Sequence, residues 1–172
     1  MKSKQRTEVI TERTFRPNAF LTRGDLIRFL ARATCGLDIA PYSKEPSRFS
    51  DVSDDSEYKA YLNWAYAEGI ITGYGDGTFR PEKNISREEV CATIIRYLEY
   101  YKAFRGKTDA DITFADEESF AAWSGDYIHS LTRQGLIKGI PTNDGRVAFM
   151  PKKEMTYAEI ATILRRILTA LQ

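Results

Sequence analysis

Three stretches of the chain share one arrangement of apolar and polar positions. In each, a hydroxyl residue opens a run of apolar residues spaced three or four apart. Leu26, Ile27, Leu30 and Ala31 follow Thr22. Val90, Ile94, Tyr97, Leu98 and Tyr101 follow Ser86. Ile160, Ile163, Leu164, Ile167, Leu168 and Leu171 follow Thr156. This period predicts three amphipathic helices. Each opener has an acid three residues on, in the pairs Thr22/Asp25, Ser86/Glu89 and Thr156/Glu159. That is a capping box, in which the hydroxyl takes the N3 amide and the acid reaches back to the N-cap amide. Asp25 is the shorter acid and fits this role least well. Two front helices are predicted over about 58–68 and 120–134, with Gly69 and Gly135 ending them in the left-handed conformation.

The pattern repeats at long range. Pro17 and Pro81 are 64 residues apart, and Pro81 and Pro151 are 70 apart. Phe49-Ser50-Asp51 and Phe114-Ala115-Asp116 start 65 residues apart. A period of this length signals an array of supersecondary units. The chain divides into a partial first unit (1–45), a full second unit (46–108) and a third, altered unit (109–172). The first unit has no Phe-x-Asp opening, and the polar segment Met1 to Glu12 stands where a front helix belongs. The stretch Tyr74-Gly75-Asp76-Gly77-Thr78 predicts a tight turn with positive φ, and Asn143-Asp144-Gly145 plays that part later. Residues beside these turns are expected to pair only briefly as strands.

These residues resemble the S-layer homology family. The resemblance runs from about residue 14 to 172. In the second unit it rests on Phe49, Asp51, Val52, Gly69, Ile70, Gly73, Tyr74, Asp76, Gly77, Thr78, Phe79, Pro81, Ile85, Arg87 and Glu89. It implies an all-α fold of tandem helix–loop–helix units in a pseudo-three-fold prism, with grooves between neighbouring units. It also implies a non-catalytic module that anchors proteins to the bacterial envelope by binding a secondary cell-wall polysaccharide, commonly pyruvylated. The third unit has Tyr157 where the motif arginine belongs, so two grooves are expected, around Arg23 and Arg87.

The local chemistry accords with that ligand. Arg23 and Arg87 stand at N1 of capped helices, where free N–H groups and the helix dipole favour an anion. A guanidinium adds a fork that grips a carboxylate. Gly73 and Gly77 would let backbone approach a sugar, and Tyr74 and Phe79 offer ring faces. Structural readings stand beside each of these. Arg23 and Arg87 also suit solvated surface positions or partners of a nearby acid. With Arg87 as an anion grip, Arg87→Ala is expected to abolish or greatly weaken polymer binding while changing stability by no more than about 0.5 kcal/mol. Tyr74 and Phe79 suit turn packing. Thr22, Ser86, Thr156 and their acids read as caps. Asp51 and Asp116 read as caps or loop ties, and Trp64 and Trp123 as core.

Composition narrows the rest. Net charge is +1 in 172 residues, which gives no field to collect nucleic acid. No apolar run reaches the roughly 20 residues of a membrane span, and no apolar leader follows the basic start, so the chain reads either as cytosolic or as a fragment whose leader was cropped; the family resemblance implies the second, at the cell surface or cell wall. Cys35 and Cys91 suit buried thiols. Asp51, Asp54 and Asp55 lack the glycine and distal glutamate of a calcium loop, and no metal or cofactor is expected. His129, the single histidine, is expected to pair with Asp126 on a helix surface. No nucleophile elbow or phosphate loop appears, so no catalysis is expected. The alternative function is a structural or protein-interaction module without sugar binding, self-associating through the incomplete first unit. A further alternative is the anchor of a larger exported enzyme.

Overall fold

The three capped helix starts meet around one axis in the computed structural model, which describes residues 16–34, 36–103 and 112–170. The helices are α1 (Arg23–Ala33), α2 (Ala40–Ser43), α3 (Lys59–Ala67), α4 (Arg87–Tyr100), α5 (Gly125–Arg133) and α6 (Tyr157–Ala170). A 3-10 turn covers Glu117–Ser119. Among the described residues there is one two-residue antiparallel hairpin, β1 (Ile140–Pro141) with β2 (Val147–Ala148). The fold is all-α with minimal strand. The boundary expected at 108/109, the segment Met1 to Glu12, and Cys35 lie outside the described residues.

Backbone hydrogen bonds close the three-fold arrangement. Leu21 N–H donates to Met155 O at 2.7 Å, Met155 N–H to Ile85 O at 3.0 Å, and Ile85 N–H to Leu21 O at 2.9 Å. Short bridges flank this ring at Phe20/Thr156, Thr22/Asn84 and Ser86/Glu154. The same three residues are apolar and at most 2% exposed, so the ring lies at the core. Trp64 and Phe149 are fully buried beside it, each worth roughly 2–3 kcal/mol in transfer from water.

The front helices end as their glycines dictate. Gly69 and Gly135 adopt φ of +72° and +70°. Ile70 N–H then reaches Ala65 O at 2.8 Å, and Leu136 N–H reaches Leu131 O at 3.2 Å, forming Schellman ends. Front helix α3 covers nearly the predicted span, and α1 packs on α3 as α4 packs on α5. The last front helix is shorter than predicted, starting at Gly125. Glu88 explains why: its buried carboxylate accepts from Ala121 N–H at 3.2 Å and Ser124 Oγ at 2.9 Å. These bonds hold 121–124 in a turn and project Trp123 outward. Trp123 is 49% exposed, against the expectation of a core position, whereas Trp64 is core.

On the outer face the units differ. Cys91 and Leu98 of α4 are buried, while their counterparts Ala161 and Leu168 of α6 are exposed. Burial pushes the Cys91 thiol well up, which makes it unreactive.

Candidate functional site

The helix N-termini are not open to a ligand. At α1, Arg23 N–H donates to Lys83 O at 2.9 Å and Gly24 N–H to Pro81 O at 2.8 Å. Asp25 N–H goes to Thr22 Oγ1 at 3.1 Å. At α4 the acceptors are Lys153 O, Pro151 O and Ser86 Oγ, and at α6 they are Ala19 O, Pro17 O and Thr156 Oγ1. Each helix start is therefore filled by its own cap and by the proline loop of the next unit. The anion-binding amides expected beside Arg23 and Arg87 are consumed by the three-fold closure.

The caps themselves are of two kinds. Ser86 and Glu89 form a reciprocal box, with Ser86 N–H donating to the Glu89 carboxylate at 3.0 Å. Thr156 N–H does the same with Glu159 at 2.8 Å. Asp25 does not reach back. Its carboxylate instead accepts from Arg28, Tyr58 Oη and Tyr157 Oη. The shorter side chain is free to turn inward, where it is 6% exposed.

A second carboxylate pair holds the turns. Asp51 accepts from Phe79 N–H at 2.8 Å and Arg80 N–H at 2.7 Å, and Asp116 accepts from Phe149 N–H and Met150 N–H, both at 2.7 Å. Arg80 and Met150 sit at φ of +59° and +58°, a strained region for side chains of this size. The carboxylate clamp offsets that strain. Asp51 and Asp116 are thus loop ties, and among the described residues no acid cluster is arranged to hold a metal. His129 lies 3.6 Å from Glu117 and packs against Phe114 and Phe120; its partner is not Asp126.

Arg23 and Arg87 are placed differently from each other. Arg23 Nε donates to Phe79 O at 2.9 Å, and Nη1 pairs with Glu89 at 2.9 Å. Its guanidinium lies over the Tyr74 ring at 4.7 Å and the Phe79 ring at 4.6 Å. Arg87 Nε donates to Phe149 O and Nη2 to Lys138 O, both at 2.8 Å, with the Phe149 ring 4.6 Å away. Arg87 is 4% exposed, so it is a buried tie rather than a surface residue, and burial lowers its pKa.

A cavity of about 260 Å³ opens on the Arg23 side. Its lining comes from Arg23 and Ile27 of α1, from Ile71 to Tyr74, from Glu89, Ala92, Thr93 and Arg96 of α4, and from Trp123. Gly73, Tyr74 and Phe79 line it, as the sequence suggested. Gly77 and Arg87 do not. Gly73 has φ +74°, and an added Cβ would stand 2.5 Å from the Phe49 ring and 2.9 Å from Thr78 O. Gly77 also has positive φ, but an added Cβ would meet only Ser50 Oγ at an ordinary 3.9 Å, so the turn's backbone alone requires it. Burial would push the Glu89 carboxyl up, but the Ser86 N–H, the Arg23 and Lys83 charges and the Tyr74 hydroxyl outweigh it. The net shift is below the ordinary value. In the sequence reading Arg96 is passed over, and Trp123 is placed in the core rather than at a site. Their only signals are a basic residue on the Glu89 face of α4 and a tryptophan beside a helix start.

The family profile of the S-layer homology domain matches residues 48–91 and 113–161. The chain is 30% identical to an amylopullulanase of Thermoanaerobacterium thermosulfurigenes, over 96% of this chain and 8% of that protein. It is 28% identical to the exoglucanase XynX of Acetivibrio thermocellus, over 96% of this chain and 14% of that one. A cellulosome-anchoring protein of Acetivibrio thermocellus is 28% identical over 90% of this chain and 33% of its own length. The chain thus spans a third or less of each of these relatives.

Proposed function

The chain belongs to the S-layer homology family, and from that premise we propose that it is a non-catalytic anchoring module. It attaches to the bacterial cell wall by holding a secondary cell-wall polysaccharide, pyruvylated, in the groove between its first and second units. We assign those units to 1–45 and 46–108, with the third over 109–172. The observation that carries this reading is the open cavity lined by Arg23, Gly73, Tyr74, Phe79 and Arg96, with an exposed indole at its end. A cationic cleft with ring faces and accessible backbone suits an acidic sugar. One relative, a cellulosome-anchoring protein, supports the cell-surface setting. Two relatives carry enzyme names, but this chain matches only 8% and 14% of their lengths. Catalysis there is consistent with a module that holds cargo. Of the two grooves expected, we retain the one at Arg23 and withdraw the one at Arg87.

The test is co-sedimentation of this chain with purified cell walls, before and after acid extraction of the secondary polymer. Binding that vanishes with the polymer supports anchoring; no binding to either wall sinks it. A second reading, a protein-interaction module, is favoured by the exposed Ala161 and Leu168 on α6. A second copy would cover that face. Sedimentation equilibrium at high micromolar concentration decides it, and a strict monomer counts against self-association.

A further inference from the structure

We propose that the anion in this groove is held by Arg96, with Trp123 as the platform for its sugar, and that Arg23 is a fixed wall of the groove rather than its grip. The inference rests on the groove reading given above and names the residues within it that hold the acid group and the sugar.

Arg23 has little left to offer. One nitrogen is committed to Phe79 O and another to Glu89, and two rings flank the guanidinium. Its side chain and that of Glu89 are only 11% and 16% exposed. The pair is therefore mutually neutralised, and Tyr74 Oη adds a third bond to Glu89 at 3.1 Å. A carboxylate approaching Arg23 would meet the Glu89 carboxylate first, and like charges that close repel.

Arg96 is the opposite case. It lies seven residues beyond Glu89 on the same face of α4, about 10 Å along the groove at helical rise. Among the described residues no carboxylate stands within ion-pair distance. Nη2 donates to Tyr127 Oη at 3.3 Å, and the Tyr127 ring lies 5.3 Å from the guanidinium. Those contacts orient the cation without cancelling its charge. Tyr127 supports it from α5, leaving the remaining donors for a ligand. A half-buried, uncompensated guanidinium lining a cavity is the most favourable place in this groove for a carboxylate.

Trp123 completes the arrangement. It lines the same cavity with half its surface exposed. The turn that carries it is tied down, because Glu88 accepts from Ala121 N–H and Ser124 Oγ on either side of it. The Lys152 ammonium in turn pairs with Glu88. An exposed indole and a guanidinium without a carboxylate partner, lining one cavity, offer a sugar face and its acid group two contacts. A pyruvyl ketal and a uronic acid share this carboxylate chemistry.

The experiment titrates the full chain and its Arg96→Gln, Arg96→Lys and Trp123→Ala variants with purified wall polymer, native or stripped of ketals by mild acid. A thermal melt accompanies each. Arg96→Gln is expected to lose about tenfold or more in affinity, as for one charged hydrogen-bonded contact, with its melting midpoint near wild type. Arg96→Lys should retain part of the binding, and Trp123→Ala should lose a comparable amount. If ketal removal matches the loss in Arg96→Gln, the ketal supplies the carboxylate. If only Arg96→Gln weakens binding, a uronic acid supplies it, and Arg96 is still the grip. Equal binding by wild type and Arg96→Gln overturns the assignment while leaving the groove intact. Failure of the wild type to bind either polymer overturns the groove reading, and this inference with it.

Discussion

Arg23 and Arg87 occupy the same place in successive units, and both donate Nε to the carbonyl of a turn phenylalanine. Beyond that atom they diverge. Around Arg23, Tyr74 takes the Lys83 ammonium at 3.1 Å, which leaves Glu89 to pair with Arg23. The position equivalent to Tyr74 in the third unit is Ile140, which cannot accept a lysine. Lys153 pairs with Glu159 instead, at 2.8 Å, and Arg87 turns its second nitrogen to Lys138 O. One interface keeps a cavity along α4; at the other the arginine is buried. Both arginines tie neighbouring units, but Arg23 does so beside an open groove and Arg87 inside the protein, and the Tyr74/Ile140 difference accompanies that contrast. A motif residue specifies a position, and its neighbours decide what it does there.

Breaking the buried tie should have the largest effect. Arg87→Ala strands two carbonyls inside the protein and should cost about 3 kcal/mol. Calorimetry should record a fall in melting temperature of roughly 6–12 °C for a chain of this size. A loss under about 1 kcal/mol would make the two arginines equivalent again. Arg23→Ala should cost less, about 1–2 kcal/mol, because its ion pair is partly wetted. A double-mutant cycle with Glu89→Gln should then give a coupling of about 1 kcal/mol. The matching cycle of Arg87 with Glu159 should show little coupling, and a large value there would contradict the contrast.

Smaller effects sharpen the third interface, where Tyr157 meets Asp25. Tyr157→Phe should cost about 1 kcal/mol in a urea melt at neutral pH. Burial, and then the bond to Asp25, raise the Tyr157 hydroxyl to about 12 from its ordinary 10.0. A raised pKa means stability fully present below pH 10 and lost as pH climbs toward 12. The phenylalanine variant should lose part of that alkaline slope. The smallest change lies at the acid end. Glu89 titrates below its ordinary 4.5, so its contribution is present above pH 4.5 and lost as pH falls through the lower folded value. Glu89→Gln should flatten that limb, and an unchanged acid profile would deny the pair its electrostatic role.

The helices were legible because their signals are local. A hydroxyl, an acid three residues on and a 3.6 period give a start, and Gly69 and Gly135 give a stop. The repeat spacing made the three-fold arrangement legible through family resemblance. What escaped depends on contacts far apart in the chain. Nothing near Ser86 reveals that Lys153 O and Pro151 O fill the amides of α4. Trp123 looked like core because an early helix position was assumed, and the turn that exposes it is set by Glu88, 35 residues earlier. Arg96 drew no notice because being unpaired is a property of surroundings. Asp25 was misread as a cap because its inward partners, Tyr58 and Tyr157, are 33 and 132 positions away.

The hydrogen-bonded ring of Leu21, Ile85 and Met155 has no first or last member. Each residue gives one bond and receives one, and the chain's last helix rests on its earliest described loop through Ala19 and Pro17. Sequence order is therefore invisible to the closure. Each of the three junctions is closed the same way, by one bond of the ring and two from a helix start to the neighbouring proline loop, whether or not the units it joins are consecutive in the chain. A polypeptide rewired to begin at a different unit would find the same ring waiting to be formed.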